Sequence, residues 1–513
     1  MTTTNKKRYN KMDPKDHILH RPDTYVGSTR SRPLEEYVSN SENNFQISKK
    51  LITYSPAILR IFIEPLSNAI DNVERSKKTK NPCKNIKINI DIKSGETSIW
   101  NDGDSIPVEI NEDEGCYNHS LIFGQLLTSS NYDDEEERYN ISGRNGIGIK
   151  ATNVFSSYFS VKGLDPDNGL ILSQEWTQNM KLALEPEIEK TKLKKGYTEV
   201  SWIPDFKQFK LKGYTRDVIE LYCRYVVDTA MLTNVNVYFN DVLVPVKTLT
   251  EYSKLYSTVE EKETLTIITK DAQVVIMPST TSLFQAVSFA NGVYTSLGGS
   301  HVDSWVEEIF RPIVKKLSKT KGGVTFNLGE IKRYFKIFVV VNVVNPEFES
   351  QSKHKLESPV KAQVKKKDID NILKWSVIED IIRSKEMVVL KKLERKKKTF
   401  VKIEGLDPAN NEGGPLSSDC TLLLVEGLSA KTYAVQGIEV GISDKKGRDF
   451  NGIYPLRGKL LNVRNSKAAS IANNNVISDI IKALNVKHDV DYKDEKNYKT
   501  LRYGKIMILT DSD

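Results

Sequence analysis

Several features that define whole classes of proteins are missing from this 513-residue sequence. Its four cysteines lie far apart and form no CxxC pair, so the sequence indicates neither a zinc site nor a disulfide framework, and a reducing compartment fits. No apolar run is long enough to span a bilayer, and the polar start MTTTNKKRYNK lacks the apolar core of a signal peptide. These absences predict an intracellular protein that does not insert into a membrane.

Length and charge indicate a multidomain, soluble globular protein. A chain of 513 residues is too long for one hydrophobic core, and three domains are the natural expectation. The net charge of +8 is uneven, because the last third carries runs such as KAQVKKKDID and LKKLERKKKTFVK. Such runs are either solvated helix faces or a surface that binds phosphates.

A polar stripe runs along one predicted helix, IFIEPLSNAIDN. In a helix, Glu64, Asn68 and Asn72 share one face. Glu64 can take a proton from an attacking water, and the carbonyl oxygen of Asn68 can ligate Mg²⁺, which prefers hard oxygen ligands. The alternative is a solvated helix face, and Pro65 argues against a regular helix. The stripe therefore needs support from other motifs before it indicates a nucleotide site.

A second motif follows two alternating strands, NIKINIDIKSGETSIWNDGDSIP, with a turn at Ser94-Gly95. The second strand runs into Asn101-Asp102-Gly103. A buried carboxylate at a strand end, next to a glycine, can accept the exocyclic amine of adenine, which makes Asp102 the candidate. An ordinary Asn-Asp-Gly turn is the alternative.

A third motif, GRNGIGIKATNVFS, places glycines just before an apolar, helix-like segment. Backbone amides at a helix N-terminus can cradle phosphates, and Lys150 adds a positive charge there. Alone this glycine pattern is weak. Its position after a Glu/Asn helix and a strand-end Asp-Gly makes a nucleotide site the better interpretation.

Carboxylates also follow two predicted strands near the end of the chain. TLLLVEGLSAKTYAV indicates a buried strand, a turn with Glu426 and a helix, and KIMILTDSD indicates a second buried strand that ends at Asp511 and Asp513. Carboxylates at the C-terminal ends of strands in an open α/β sheet suit Mg²⁺. An isolated Asp-x-Asp is more often a turn or a helix cap.

Taken in chain order, these motifs resemble a known family. EPLSNAIDN, WNDGDSIP and LLTSSNYDDEEERYNISGRNGIGIK are similar to the ATP-binding domain of the gyrase, Hsp90, histidine-kinase and MutL (GHKL) superfamily. HILHRPDTYVGS, QLLTSSNYDD and GIYPLRGKLLNV resemble the eukaryotic-type, type IIA DNA topoisomerases. The resemblance implies an α/β multidomain protein with a GHKL (Bergerat) α/β sandwich ATPase, a ribosomal-S5-like α/β transducer and an incomplete, Rossmann-like TOPRIM segment. We expect an N-terminal arm or strap over 1–28, the ATPase domain over 29–249, the transducer over 250–403 and the partial TOPRIM segment over 404–513.

The resemblance also implies roles for single residues. Glu64 would activate the hydrolytic water, Asn68 would bind Mg²⁺, and Asn72 and Asp102 would contact the Mg²⁺-bound nucleotide and adenine. Ribose and phosphate would be held by Ser129, Ser130 and Asn131, and the phosphate loop would comprise Arg144, Asn145, Gly146, Gly148 and Lys150. The loop NPEFESQSKHKL would bring Gln351 and the catalytic Lys353 to the γ-phosphate, and Tyr9 would cross to the nucleotide of a partner subunit. Glu426, Asp511 and Asp513 match the metal site used in DNA cleavage, which is incomplete here.

Some positions depart from the family pattern. Pro65 replaces an ordinary helix former, Ser105 stands where a second glycine is usual, and Leu428 replaces an expected aspartate. We expect these departures to alter local geometry.

We therefore expect an ATP-binding and ATP-hydrolysing gate of a type IIA DNA topoisomerase, which dimerises on ATP to capture a DNA duplex for strand passage. The expected cofactors are ATP and Mg²⁺. The expected partners are duplex DNA, a second copy of the chain in an ATP-dependent homodimer, and a missing C-terminal cleavage region on the same full-length chain or a separate subunit. Alone, this fragment or split-gene product would be an ATPase that does not cleave DNA.

Two other functions stay open at this stage. A chaperone or mismatch-repair clamp of the GHKL type would use ATP without DNA cleavage, but it would have no TOPRIM carboxylates. A DNA-binding scaffold with an inactive ATPase is disfavoured by Glu64 and Lys353. The lysine- and asparagine-rich composition is compatible with a viral source, so the expected location is the nucleus, or the host cytoplasm or virion.

Overall fold

The computed structural model describes residues 12–126, 128, 146–256, 263–281, 283–320, 325–350, 353–395, 403–440, 447–456, 460–466, 470–471 and 474–510. They form two compact units. The first contains the described residues up to Glu307 together with Phe335–Val364, and the second contains Glu308–Tyr334 and the described residues from Lys365 onward. The four-part division predicted from the sequence stays a prediction. Within the described part of the chain, no helix is long and apolar enough to cross a membrane.

The described part of the first unit contains helices and four β-sheets: one of nine strands, one of five strands, and the two-stranded pairs β1-β2 and β5-β6. Its helices are α1 (Pro14–His20), α2 (Pro22–Tyr25), α3 (Pro56–Ser76), α4 (Asn118–Gly124), α5 (Gly148–Val154), α6 (Arg216–Thr233), α7 (Leu249–Lys254) and α8 (Ser300–Thr320), which continues into the second unit. Its strands are β1 (Arg32–Ser39), β2 (Ile47–Tyr54), β3 (Asn85–Ile90), β4 (Thr97–Asp102), β5 (Ile110–Asn111), β6 (Cys116–Tyr117), β7 (Ser156–Asp165), β8 (Leu170–Thr177), β9 (Leu182–Ala183), β10 (Glu187–Lys190), β11 (Tyr197–Pro204), β12 (Asn236–Phe239), β13 (Val242–Leu243), β14 (Leu265–Ile268), β15 (Ala272–Pro278), β16 (Gln285–Ala290), β17 (Val293–Tyr294) and β18 (Phe335–Val341).

The nine-stranded sheet has the order β10-β8-β7-β11-β4-β3-β12-β13, with β9 paired to β8. Most neighbours are antiparallel, but β12 lies parallel to β3. The residues of β4 alternate between buried and half-buried, so one face of this strand packs against the protein interior.

Helices α3 and α6 pack together against this sheet. Phe62 of α3 stacks on Tyr222 of α6 with ring centroids 3.9 Å apart, and the Tyr222 hydroxyl donates to the Ile58 carbonyl at 2.6 Å. Ser55 caps the N-terminus of α3, because its hydroxyl accepts a hydrogen bond from the Ile58 amide. Pro56 occupies the first turn, where proline is tolerated. These contacts fix the rotation of α3 and therefore the direction in which its polar stripe points.

The five-stranded sheet of the first unit has the order β14-β15-β18-β16-β17. Strand β18 lies at its centre, antiparallel to β15 and parallel to β16, and all but one of its residues are buried. The segment that contains Lys353 returns to the β17–α8 turn, where Gly299 and Leu356 form a bridge.

The second unit contains α9 (Leu328–Lys332), α10 (Lys366–Ile372), α11 (Ser376–Arg395), α12 (Leu428–Val440), α13 (Gly447–Phe450), α14 (Asn475–Leu484) and α15 (Glu495–Tyr498). Its parallel sheet has the order β20-β19-β21, formed by β19 (Thr421–Val425), β20 (Asn451–Pro455) and β21 (Lys505–Leu509). The prediction that KIMIL is a buried strand is wrong, because β21 lies at an edge of the described sheet and exposes most of its residues.

Other element predictions are confirmed. The β3–β4 hairpin turns at Ser94-Gly95, and Gly95 has a φ of +78°. The helix predicted over IFIEPLSNAIDN lies within α3, which is preceded by β2 at Ile47–Tyr54. Pro65 lies inside α3, and the helix continues through it.

Candidate functional site

A cavity of about 460 Å³ in the first unit brings together predicted residues that are distant in sequence. Helix α3, the ends of β4 and β11, the start of α5 and the segment around Lys353 form its walls. The predicted residues that line it are Glu64, Asn68, Asn72, Gly146, Gly148, Lys150 and Lys353. The cavity therefore joins three motifs that the sequence presents separately.

Helix α3 supplies the polar wall. Glu64, Asn68 and Asn72 recur every four residues and share the cavity face, while residues such as Phe62 and Leu66 are buried in the core. The Asn72 carboxamide donates to the Asp104 carbonyl at 3.2 Å, which holds this side chain in place. Asn68 is the most exposed of the three, so its carboxamide is accessible from the cavity.

Glu64 lies where α3 meets the start of α5. Its Oε1 is 2.6 Å from Nε of Arg60, one turn earlier on the same helix, and Arg60 also lines the cavity. On the other side, a Cβ added to Gly148 would overlap Glu64 Oε2. Glycine at 148 is therefore what allows the carboxylate to lie against the first residue of α5.

Gly146, just before α5, and Lys150, within α5, line another wall of the cavity. Gly146 has a φ of +60°, a left-handed conformation that glycine adopts without a steric penalty. Lys150 is 2% exposed, and its Nζ donates to the Thr128 carbonyl at 2.6 Å. Burial lowers the pKa of Lys150 to about 8, since the charged ammonium loses hydration. An anionic ligand in the cavity would stabilise this charge.

The structure corrects the placement of Asp102. Its carboxylate does not line the cavity: Oδ1 accepts hydrogen bonds from the Lys84 and Asn85 amides at 2.7 and 2.8 Å, and Oδ2 accepts one from the Asn85 side chain at 2.7 Å. Side chains alternate along a strand, so the neighbour Asn101 faces the cavity instead. The sequence prediction was therefore one residue out.

Asn101 has a partner that sequence reasoning missed. Thr198 of β11 lies directly opposite Asn101 in the β11–β4 register, and both residues line the cavity. Apolar residues that line the same cavity include Ile99, Ile106, Ile122 and Val200. A polar pair at the edge of an apolar wall suits a flat heterocycle that carries hydrogen-bonding groups at its rim.

The period of β4 could have identified Asn101. Thr97, Ile99 and Asn101 are the buried members of TSIWND, which is the alternation expected of a strand with one buried face. Counting two residues on from the buried Ile99, the next position on the same face of the strand is Asn101 and not Asp102. Arg60, by contrast, follows from its i, i+4 spacing to Glu64.

Lys353 reaches the cavity from a separate segment. It has a φ of +58°, and its amide donates to the Ser350 carbonyl at 3.0 Å, which helps to hold this residue at the cavity. His354 follows it, and the pKa of His354 is lowered by burial and by the nearby Arg60 guanidinium.

The remaining predicted site residues are only partly described. Those outside the described residues are Tyr9, Ser129, Ser130, Asn131, Arg144, Asn145, Gln351, Asp511 and Asp513. Glu426 follows β19 and is exposed. Among the described residues, no three His, Cys, Asp or Glu side chains are grouped to hold a metal ion. The metal site at the carboxyl ends of β19 and β21 stays a prediction.

Comparison with known proteins identifies the class. A family model described as DNA gyrase B matches residues 235–400. The ATPase region of Saccharomyces cerevisiae topoisomerase II superimposes with a TM-score of 0.68 and 31% identity, covering 74% of this chain and 99% of that structure. The ATPase and transducer domains of Balamuthia mandrillaris DNA topoisomerase II give a TM-score of 0.69 and 30% identity, covering 75% and 99%. The fold is thus that of the ATPase and transducer region of type II topoisomerases.

Relatives in sequence agree. DNA topoisomerase 2 of Invertebrate iridescent virus 6 is 39% identical over all of this chain, and human DNA topoisomerase 2-alpha is 38% identical over 98% of it. The chain belongs to the type IIA DNA topoisomerase family. It spans about half the length of the viral relative and a third of the human one, at 48% and 33%. This family membership favours a topoisomerase over the chaperone or mismatch-repair clamps that the motifs alone left open.

Proposed function

We propose that this chain binds and hydrolyses ATP in the cavity between α3, β4, β11 and α5, as the ATP-operated gate of a type IIA DNA topoisomerase. The observation that carries the proposal is the convergence of Glu64, Asn68, Lys150 and Lys353 on one cavity. A carboxylate, a carboxamide and two cations from three parts of the sequence are the groups that a hydrolysed, metal-bound phosphate chain requires.

The donor set fits ATP and Mg²⁺. The apolar wall with Asn101 and Thr198 would take adenine, which leaves the phosphates toward Gly146, Gly148 and Lys150. Asn68, with an accessible carboxamide oxygen, would hold Mg²⁺, and Asn72 lies one turn further along α3. When bound, Mg²⁺ would neutralise part of the negative charge on the phosphates.

Glu64 would act as the general base. Its carboxylate lies against Gly148, and Lys353 lines the same cavity. Glu64 would accept a proton from a water that attacks the terminal phosphorus of ATP. The bond from this phosphorus to the bridging oxygen would break, ADP would leave with the electron pair, and Lys353 would stabilise the charge that develops on the phosphate oxygens. Arg60 contacts the same carboxylate and would hold it in this orientation until water is positioned.

The proposed partners follow from family membership. A second copy of the chain would close an ATP-dependent dimer, with Tyr9 of the N-terminal arm reaching the partner's nucleotide. Duplex DNA would be held through its phosphates by the basic runs of the transducer and the 360–402 region, so binding should tolerate sequence changes and weaken steeply with salt. DNA cleavage would use the metal site of Glu426, Asp511 and Asp513 together with a tyrosine from a C-terminal region.

The test is a substitution of the proposed base. Glu64→Gln should lower the hydrolysis rate by about 10²- to 10⁴-fold, because the carboxamide cannot accept the proton. The affinity for a non-hydrolysable ATP analogue should stay close to that of the unaltered chain. Steady-state phosphate release and isothermal titration calorimetry measure the two quantities.

Glu74→Gln is the matched control, since Glu74 lies on the same helix but pairs with Lys77 and does not line the cavity. It should hydrolyse ATP at the normal rate. Equal losses of binding and turnover in Glu64→Gln would make Glu64 a structural residue and contradict the proposal.

A further inference from the structure

Pro65 creates a specific defect next to the proposed base. Proline has no amide hydrogen, so it cannot donate to the carbonyl four residues earlier, which is Ile61. Its ring also disfavours the helical conformation of the preceding residue, which is Glu64. Helix α3 is nevertheless continuous from Pro56 to Ser76, with Pro65 buried inside it. Some other group must stabilise this turn.

A neighbouring helix supplies the missing donor. The hydroxyl of Thr152, in α5, donates to the Ile61 carbonyl at 2.9 Å. Thr152 is fully buried, and the two residues are 91 positions apart in the chain. An unsatisfied buried carbonyl costs about 1–3 kcal/mol, so a hydrogen bond from outside the helix at this carbonyl offsets the loss caused by Pro65.

Helix α5 therefore contacts the Glu64 turn at two points. At its first residue, Gly148 leaves the space that the Glu64 carboxylate occupies. One turn later, Thr152 bonds the backbone of the same turn of α3. The two contacts lie on one side of Glu64 and fix both its backbone and its side chain relative to the cavity.

We infer that Thr152 is a positioning residue for Glu64: its hydroxyl holds the Pro65-interrupted turn in helical geometry so that the carboxylate faces the cavity. This inference rests on the proposed function, because it takes Glu64 as the base in ATP hydrolysis. Thr152 does not line the cavity and would not touch the nucleotide, so it acts only through α3.

The decisive experiment is a double-mutant cycle on Thr152 and Pro65. Thr152→Val keeps the shape but removes the donor, so kcat for ATP hydrolysis should fall about 10- to 100-fold, as expected when a catalytic group is displaced by a fraction of an ångström to 1 Å. KM and the affinity for an ATP analogue should change little. In the Pro65→Ala background an amide hydrogen is restored at position 65, so adding Thr152→Val should then lower kcat by no more than about twofold.

Two controls separate positioning from general packing. Thr152→Ser keeps the hydroxyl and should retain kcat within a few-fold. Thr229→Val removes a buried hydroxyl that donates to the Tyr225 carbonyl at 2.9 Å within an uninterrupted helix, α6, where that carbonyl has its own helical amide donor. It should leave kcat unchanged.

The outcomes are distinguishable. Normal kcat in Thr152→Val, or an equal loss of kcat on adding Thr152→Val to the native and the Pro65→Ala backgrounds, would overturn the positioning role while leaving ATP hydrolysis intact. If Thr152→Val does not fold, kcat is compared between Pro65→Ala and the double variant Pro65→Ala/Thr152→Val. A large loss of kcat in the double variant would overturn the positioning role. A wild-type chain without ATPase activity would overturn the proposed function and the inference together.

Discussion

Asn101 and Asp102 are adjacent in β4 but serve different purposes because their side chains point to opposite faces of the sheet. Asp102 accepts three hydrogen bonds from Lys84 and Asn85 and so fixes the start of β3 against the end of β4. Asn101 is 6% exposed and lines the cavity opposite Thr198. We therefore propose that Asp102 contributes to stability and that Asn101 contributes to ligand recognition.

Substitution of each residue should therefore give a different defect. Asn101→Ala should weaken binding of an ATP analogue by about 10- to 100-fold, because the adenine would lose a hydrogen bond in a buried site. Asp102→Ala should instead lower the free energy of unfolding by about 1–3 kcal/mol, since two backbone amides lose their acceptor. Calorimetric titration and urea denaturation measure the two effects. A loss of affinity in folded Asp102→Ala, with normal affinity in Asn101→Ala, would contradict the assignment.

Lys150 links nucleotide binding to pH. Burial lowers its pKa to about 8 in the free protein, and bound phosphates would raise it again by stabilising the ammonium. Below pH 8 the free and bound proteins both carry the charge, so affinity is flat. Above pH 8 the free protein loses the proton that the complex keeps, so affinity falls.

The expected fall is about tenfold at one pH unit above the pKa. Titrations of an ATP analogue between pH 7 and 9.5 would measure it. Lys150→Arg is the matched control, because a guanidinium stays protonated across this range and should remove the dependence. Identical pH profiles for the two proteins would show that Lys150 is not the titrating group.

At the scale of the element, local patterns predict local structure. The β3–β4 and β12–β13 hairpins follow from alternation and turn chemistry, and Asn240 and Asp241 adopt the positive φ values of +45° and +64° that their turn requires. Both hairpins are fixed by residues close in sequence. The sequence could therefore specify them without knowledge of the remaining fold.

Elements that depend on distant partners could not be predicted in the same way. Pro65 argued against a regular helix, and nothing near it in sequence reveals the Thr152 hydroxyl that stabilises the turn. Strand β21 has the apolar composition of a buried strand but lies at a sheet edge, and composition does not distinguish the two positions. Thr198 meets Asn101 only through the β11–β4 register.

The same limit applies to the candidate site. The α3 stripe and the glycines at the start of α5 were found from residue type and order, Lys353 was found from the family resemblance, and the structure brings them to one cavity. Arg60 and Asn101 were missed although spacing rules point to both. The physical reason is that motif matching selects residue types, whereas side-chain direction is set by periodicity and packing.

For the whole molecule, the proposed gate must close by association of two chains. Light scattering should give a mass of 58.2 kDa without nucleotide and twice that value with a non-hydrolysable ATP analogue and Mg²⁺. Deletion of residues 1–12 should weaken the dimer, because it removes the arm that contains Tyr9. A mass that does not respond to nucleotide in the full chain would contradict ATP-driven closure.

The measurement that tests the central claim most directly is a structure of this chain with a non-hydrolysable ATP analogue and Mg²⁺. We expect adenine beside Asn101 and Thr198, the metal ion on Asn68, and the terminal phosphate between Glu64 and Lys353. A nucleotide bound outside this cavity, or bound with its phosphates at Asn101 and its base at Glu64, would contradict the account.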